Sequence, residues 1–358
     1  MIASELLRSR ELMKPLIIPI FLPNLGCRER CIFCNQRAVA PEVPSPAEVR
    51  ESIRSALSRF PSDRRRERQI AFYGGSFTAI PKEDQSAYLK EGHSFLSSGR
   101  IDSIRVSTRP DALDEEVLSL LKKYGVKTVE LGAQSMIDEV LLLSRRGHSS
   151  KDTVSAVSQL KHWGFEVGLH VMIGLPGDSF DSFFETLDQV IRLNPDFLRI
   201  HPTLVLKEAP IEALWIEGKY SPLTLEEAIR WLKRGLLKLE KVAIPVARIG
   251  LQLTKDLEHC ILAGPCHPAL HQLVDSEIYF DMVVRLLETH QNERDLCFIC
   301  HPGEISSVRG QKNGNILRLK KRFGIDHIYV QGKEDIPRGS LLLHTQKEKI
   351  LSLRSDFS

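Results

Sequence analysis

The chain has 358 residues, 42% hydrophobic and 27% charged, with a net charge of only +3. This is the composition of a globular protein with enough apolar material for one large domain or two, and it excludes a disordered chain. So small a net charge gives no overall field that points to nucleic acid. No apolar run reaches the ~18 residues of a membrane span, and seven cysteines over this length are not a disulfide scaffold. Residues 1–15 carry Glu5, Arg8, Arg10, Glu11 and Lys14 where a secretory leader would be apolar, so the expected location is cytoplasmic.

The predicted elements alternate. Leu16–Leu22 reads as a strand and leads into Gly26-Cys-Arg-Glu-Arg-Cys-Ile-Phe-Cys-Asn35. Pro46–Arg59 reads as a helix with Val49, Ile53, Ala56 and Leu57 on one face. Residues 63–69 form a charged loop in which Arg64, Arg65 and Arg66 are solvated. A strand at 70–73 ends in Gly74-Gly75-Ser-Phe-Thr78, and a helix follows at 82–96. A strand at 103–107 ends in Thr108-Arg-Pro-Asp111, and the helix at 114–124 stops at Gly125. The strand at 128–131 ends in Gly132-Ala-Gln-Ser135. Helices at 137–144 and 151–163 follow, the second stopped by Gly164. Glu166–Ile173 is a fifth strand closed by Gly174-Leu-Pro-Gly177, and 197–201 a sixth after a helix at 179–193.

Six βα units in a row imply a parallel sheet with helices outside. The fold expected is α/β, a partial (β/α)6 TIM-type barrel left open on one side. Its Gly-rich and polar segments fall at the strand C-termini, the face on which such barrels build active sites. The boundary is placed after the 244–250 strand, giving a barrel over 1–255 and an accessory α/β region over 256–358.

Cys27, Cys31 and Cys34 form a CxxxCxxC at the end of the first strand. Thiolates are the usual protein ligands of 4Fe–4S clusters, and four complete the set. Three leave one iron with an open coordination position. The alternatives are a zinc knuckle short of one ligand, or three buried thiols. Asn35 and Gln36 offer no soft fourth donor, and His93 is distant in sequence.

The ordered motifs resemble the radical S-adenosylmethionine superfamily, and within it the radical domain of the Elongator catalytic subunit and its short prokaryotic relatives. The residues that carry the likeness are Gly74-Gly-Ser-Phe-Thr-Ala79, Ser107-Thr-Arg-Pro-Asp111, Glu130-Leu-Gly-Ala-Gln-Ser135, Arg145-Arg-Gly-His148 and Gly174-Leu-Pro-Gly177. It continues through His201-Pro-Thr-Leu-Val205, Leu214-Trp215, Gly218-Lys-Tyr220 and Ile244-Pro-Val-Ala-Arg-Ile-Gly-Leu-Gln252, so it covers about 16–255. The resemblance implies that S-adenosylmethionine chelates the free iron of a 4Fe–4S cluster. Reductive cleavage then yields a 5′-deoxyadenosyl radical, with flavodoxin or ferredoxin as the kind of electron donor. It places Gly74 and Gly75 beside the methionine amino group, Gln134 on the nucleoside or its ribose, and Arg146 on the methionine carboxylate. Ser107 and His170 stand where relatives have polar cofactor contacts. No Gly-rich acyl-CoA loop follows Gly250, so the likeness does not extend to an acetyltransferase domain.

In the last hundred residues, Cys260–Pro268 is turn-rich, and His267 either faces the barrel mouth or caps a turn. Cys297 and Cys300, three apart in a strand, point to opposite faces and do not share a metal. Residues 296–330 read strand, helix, Gly310-Gln-Lys-Asn313, helix, strand, which resembles the core of a KH RNA-binding module. Lys312, Arg318, Lys320, Lys321 and Arg322 make it basic; the competing reading is a small accessory unit with a solvated face. The function expected is an RNA-modifying radical enzyme, with tRNA as partner. The alternatives are a radical enzyme on a small molecule such as a tetrapyrrole precursor, or a non-catalytic iron–sulfur RNA-binding protein.

Overall fold

The structure, a computed structural model, describes residues 15–27, 31–38, 40, 42–59, 66–289, 295–344 and 349–357. The charged stretch up to Lys14 and the Arg64–Arg65 pair lie outside the described residues.

Seven strands form one parallel sheet: β1 (Leu16–Leu22), β2 (Arg68–Gly74), β3 (Ser103–Thr108), β4 (Val126–Gln134), β5 (Glu166–Ile173), β6 (Phe197–Pro202) and, after the short β7 (Val205–Leu206), β8 (Val246–Ile249). Their order is β1-β2-β3-β4-β5-β6-β8, with each strand laid beside its predecessor as successive βα crossovers require. The expected six-stranded partial barrel therefore gains a seventh strand, because the 246–249 segment pairs in parallel with β6. The helices of this part are α1 (Pro46–Arg59), α2 (Lys82–Ser97), α3 (Glu115–Lys123), α4 (Asp138–Leu143), α5 (Ser150–His162), α6 (Phe180–Leu193), α7 (Pro210–Ile216), which packs by β7 under the cysteine loop, and α8 (Leu225–Lys241).

Period-two alternation sorts the strand residues. Ile20, Phe72, Val106, Leu131, Leu169 and Ile200 face the helices and are buried in one apolar cluster with Ile53, Leu89, Leu121, Leu160, Leu187 and Leu232. Side chains of the other register face the barrel interior. Helix starts are fixed locally: Ser149 with Asp152, and Thr224 with Glu227, form reciprocal capping boxes. Gly125 and Gly164 take up positive φ just past α3 and α5, a conformation that costs glycine nothing.

Beyond β8 come α9 (Lys255–Cys260), β9 (Ile261–Ala263), which pairs antiparallel with β7, and the long α10 (Leu270–Thr289), which packs on α8. Then follow β10 (Asp295–Cys300), α11 (Ile305–Arg309), α12 (Gly314–Phe323), β11 (His327–Gly332), β12 (Ser340–His344) and β13 (Lys349–Leu353). The strand–helix–helix–strand order read over 296–330 is present. The sheet runs β11-β10-β12-β13, with β10 and β11 parallel and the remaining pairs antiparallel. Tyr279, Phe298, Leu341 and Leu343 belong to the same apolar cluster as the barrel strands, so the core is continuous across residue 255. Cys300 sits in that core, and Cys297 is half-buried on the other face of β10. The His267 ring nitrogen Nδ1 accepts from Ala269 N at 3.1 Å and so caps its turn. No described helix is long and apolar enough to cross a membrane.

A continuous core predicts joint unfolding. Phe298→Ala should cost about 3–5 kcal/mol and shift a single urea transition seen by both far-UV circular dichroism and tryptophan fluorescence. Two separable transitions would contradict this.

Candidate active site

The cysteine loop is seated by backbone. β1 ends in a turn with Asn24 at φ 56° and Gly26 at φ 74°. Gly75 N donates to Leu22 O at 2.9 Å and Ser76 N to Leu25 O at 2.8 Å. A Cβ on Gly75 would lie 2.0 Å from Leu25 O, and one on Gly26 would lie 2.3 Å from Ser76 O. Only glycine allows the turn after β1 and the turn after β2 to come this close. Gln36 ties the far end of the loop to the same edge: its Nε2 donates to Gly74 O at 2.6 Å and its Oε1 accepts from Asn24 N. The other side of the loop rests on a second apolar cluster, in which Ile32 joins Leu204, Val205, Ile211, Tyr220 and Leu257, with Phe33 at its margin. Ile211 N donates to Ile32 O at 2.8 Å, and Asn35 Nδ2 to Lys207 O at 2.7 Å.

Three thiols and one cation meet on this seat. Cys27 Sγ is 3.8 Å from Ser76 Oγ, and Cys34 N donates to Cys31 O at 3.1 Å. Burial pushes the Cys34 thiol up to about 12, and the neighbouring Cys31 and Cys27 add to the rise. Burial also raises Cys27, against the hydrogen bond from Ser76. Arg146 Nη1 donates to Cys31 Sγ at 2.9 Å while its Nη2 donates to Gly132 O at 2.6 Å. Arg109, salt-bridged to Asp111, holds the Arg146 carbonyl at 3.0 Å. Among the described residues no three His, Cys, Asp or Glu side chains close on a single-ion position. A cubane cluster instead asks one thiolate of each iron. Three soft sulfur donors beside a guanidinium fit such a cluster.

The residues expected around a cofactor divide into two sets. Gly74 and Gly75 end β2 under the cysteine loop. Gln134 ends β4 at φ 67°, its Nε2 2.8 Å from where a Cβ on Gly132 would stand, and Arg146 shares that glycine. Among the described residues the buried Ser107 Oγ has no hydrogen-bond partner. These join the thiols at one mouth. His170 differs: its Nε2 is 2.5 Å from Glu130 Oε2, so it belongs to a charged group within the barrel.

That group centres on Glu130, which is 0% exposed. Oε1 accepts from Arg105 Nη1 at 2.6 Å, Tyr73 OH at 3.1 Å and Arg199 Nη2 at 3.2 Å. Arg199 Nε lies 2.9 Å from Oε2. Burial alone would raise the carboxyl, but His170, Arg199 and Arg105 overcome it and hold Glu130 well below the usual carboxylate range. Burial, followed by His170, Arg199 and Arg248, lowers the neighbouring His201 to about 3. His148, against Ala133 O at 3.3 Å, is lowered by burial and then by Arg146 to about 4. Sequence reasoning assigned no role to Arg105, Arg109, Arg199, His201 or Arg248. The signal was there: Arg105, Glu130 and Arg199 each stand between two apolar residues of a buried strand, the place where a charge must have a partner.

Two family models match the chain: Radical SAM superfamily over residues 22–190 and Radical_SAM C-terminal domain over 195–279. A tRNA uridine(34) acetyltransferase of Methanocaldococcus infernus is 32% identical over 182 residues, covering 45% of this chain and 34% of that protein. An uncharacterised protein of Methanocaldococcus jannaschii is 30% identical over 224 residues, 58% of this chain and 66% of that protein. The chain thus spans about a third of the first relative and about two thirds of the second. The solved structure of the archaeal Elp3 of Methanocaldococcus infernus, with an N-terminal deletion, superposes with a TM-score of 0.58 at 22% identity. It covers 77% of this chain and 63% of that one, and shares the fold.

Two outcomes follow from this geometry. Gly75→Ala should cost about 1–3 kcal/mol through overpacking and displace the cysteine loop. The check is a lower urea midpoint together with reduced iron uptake on anaerobic reconstitution; undiminished uptake would refute it. The second concerns pH. Unfolded histidines titrate near 6.5, whereas folded His148 and His201 do so at about 4 and about 3. The unfolded chain therefore binds more protons below 6.5, so their contribution is full above that pH and is lost as pH falls toward 4. His148→Gln should make that decline shallower in melts taken across this range.

Proposed function

This chain belongs to the radical S-adenosylmethionine superfamily, and we propose that it holds a 4Fe–4S cluster on Cys27, Cys31 and Cys34 and acts on RNA, with tRNA as the substrate class. A bound cluster supplies the electron that splits the sulfonium of S-adenosylmethionine into methionine and a 5′-deoxyadenosyl radical, which takes a hydrogen from the substrate. The observation that carries this reading is the cysteine loop itself, fixed on the Gly74–Ser76 turn with Arg146 2.9 Å from Cys31.

The chain's own residues orient and shield. Arg146, anchored on Gly132 O, presents a forked cation suited to a carboxylate. Gly74 and Gly75 let backbone groups approach an amino group. Gln134 and the unpartnered Ser107 Oγ supply polar contacts for a nucleoside, and His170 acts through Glu130 as a positioning residue. The cluster around Ile32 keeps water from one side of the thiols. The RNA reading draws on the relatives named as tRNA uridine(34) acetyltransferases and on a parallel sheet whose end strands β1 and β8 are not paired with each other among the described residues. A small redox protein such as flavodoxin or ferredoxin is the reductant class.

Anaerobic reconstitution followed by electron paramagnetic resonance tests the reading. The reduced-cluster signal should change on adding S-adenosylmethionine, and dithionite should then release 5′-deoxyadenosine. Cys31→Ala should lose both. An intact cluster with no cleavage would sink the radical chemistry and leave the non-catalytic reading. Binding to tRNA should weaken steeply with salt, because phosphate contacts release counterions; absence of any tRNA binding would sink the RNA assignment.

A further inference from the structure

We propose that Arg199, His201 and Arg248 form a seat for an oxyanion of the substrate at the β6–β8 end of the barrel, a nucleotide phosphate if the RNA reading holds. The strand register sets the geometry. β5 pairs His170 with Arg199, and β6 pairs Arg199 with Arg248, so three basic side chains stand in a row across three adjacent strands. Like charges opposite each other in a sheet repel, and taking them out of water without a counter-charge is costly.

The interior does not supply that counter-charge in full. Glu130 already serves Arg105, Arg199, His170 and Tyr73. Arg248 has only neutral acceptors, Gly250 O at 3.1 Å and Gln252 Oε1 at 3.4 Å, and among the described residues it meets no carboxylate. Burial, and then Arg199, lowers the Arg248 guanidinium from its ordinary value. The bond to Gly250 O draws the Arg248 guanidinium toward the C-terminal end of β8, the end of the sheet that carries the thiols. His201, two residues beyond Arg199 on the same strand face, lies with its ring 5.7 Å from His170 and its Nδ1 buried without a partner. An oxyanion placed here would meet the Arg248 guanidinium, the positive charge of Arg199 and a ring nitrogen with no bond of its own; guanidinium is the group that recognises phosphate and carboxylate.

Isothermal titration calorimetry on the full chain tests this with uridine 5′-monophosphate, uridine, inorganic phosphate and acetate as probes. The wild type should bind the monophosphate about tenfold or more tightly than uridine. Arg248→Gln should abolish that difference, and Arg248→Lys should recover only part of it. Removing an uncompensated cation should leave the melting temperature unchanged or raised. Acetate displacing phosphate would support the seat and assign it to a carboxylate substrate. Phosphate binding that is lost in Arg248→Gln, alongside no binding of tRNA, would keep the seat and overturn only the RNA reading. Equal affinity for monophosphate and uridine in the wild type overturns the proposal. So does a variant with a lowered melting temperature and intact phosphate discrimination, the pattern of a purely structural arginine.

Discussion

The close backbone contact between the turn after β1 and the turn after β2 is the constraint on which the candidate site rests. A loop that carries reactive thiols has little regular structure of its own to hold it. Here its entry is bonded to Leu22 and Leu25, its exit is tied through Gln36 to Gly74, and Ile32 rests on the second apolar cluster. The glycines at 26 and 75 are required by space, because any side chain would enter a carbonyl oxygen of the opposite turn. The position of the thiols is thereby referred to the carboxyl edge of the sheet, where Arg146 and Gln134 are also found.

Below that mouth the barrel interior is ionic. Closed barrels fill this space with branched apolar side chains. This open sheet places Arg105, Glu130, His170 and Arg199 there instead, while the opposite register of the same strands packs on the helices. A carboxylate with no exposure is tolerable only because three basic partners meet it, and losing one of them would leave a buried charge unpaired. The arrangement also leaves cationic capacity over at β8, where among the described residues Arg248 meets neutral acceptors alone.

The segments after β6 that looked like isolated motifs form the far wall of the cysteine loop. Leu204, Val205, Ile211 and Tyr220 pack under Ile32, and Tyr220 OH donates to Gly174 O at 2.6 Å, joining that wall to the turn after β5. The C-terminal sheet shares the main core through Phe298 and Leu341 and so braces the barrel on its helix side.

What the sequence by itself determined was local. Hydrophobic period separated strands from helices, Gly125 and Gly164 marked helix ends, and the 27–34 spacing marked soft ligands at a strand terminus. Those signals act within a few residues, so one sequence suffices to read them. Tertiary structure alone decided that the 246–249 strand joins the barrel sheet beside β6, that His170 bonds Glu130, and the identity of the wall beneath Ile32. The partners of Glu130 lie between 25 and 69 residues away along the chain. Their meeting depends on strand register and on which face each strand turns inward, and both are fixed only when the whole sheet assembles.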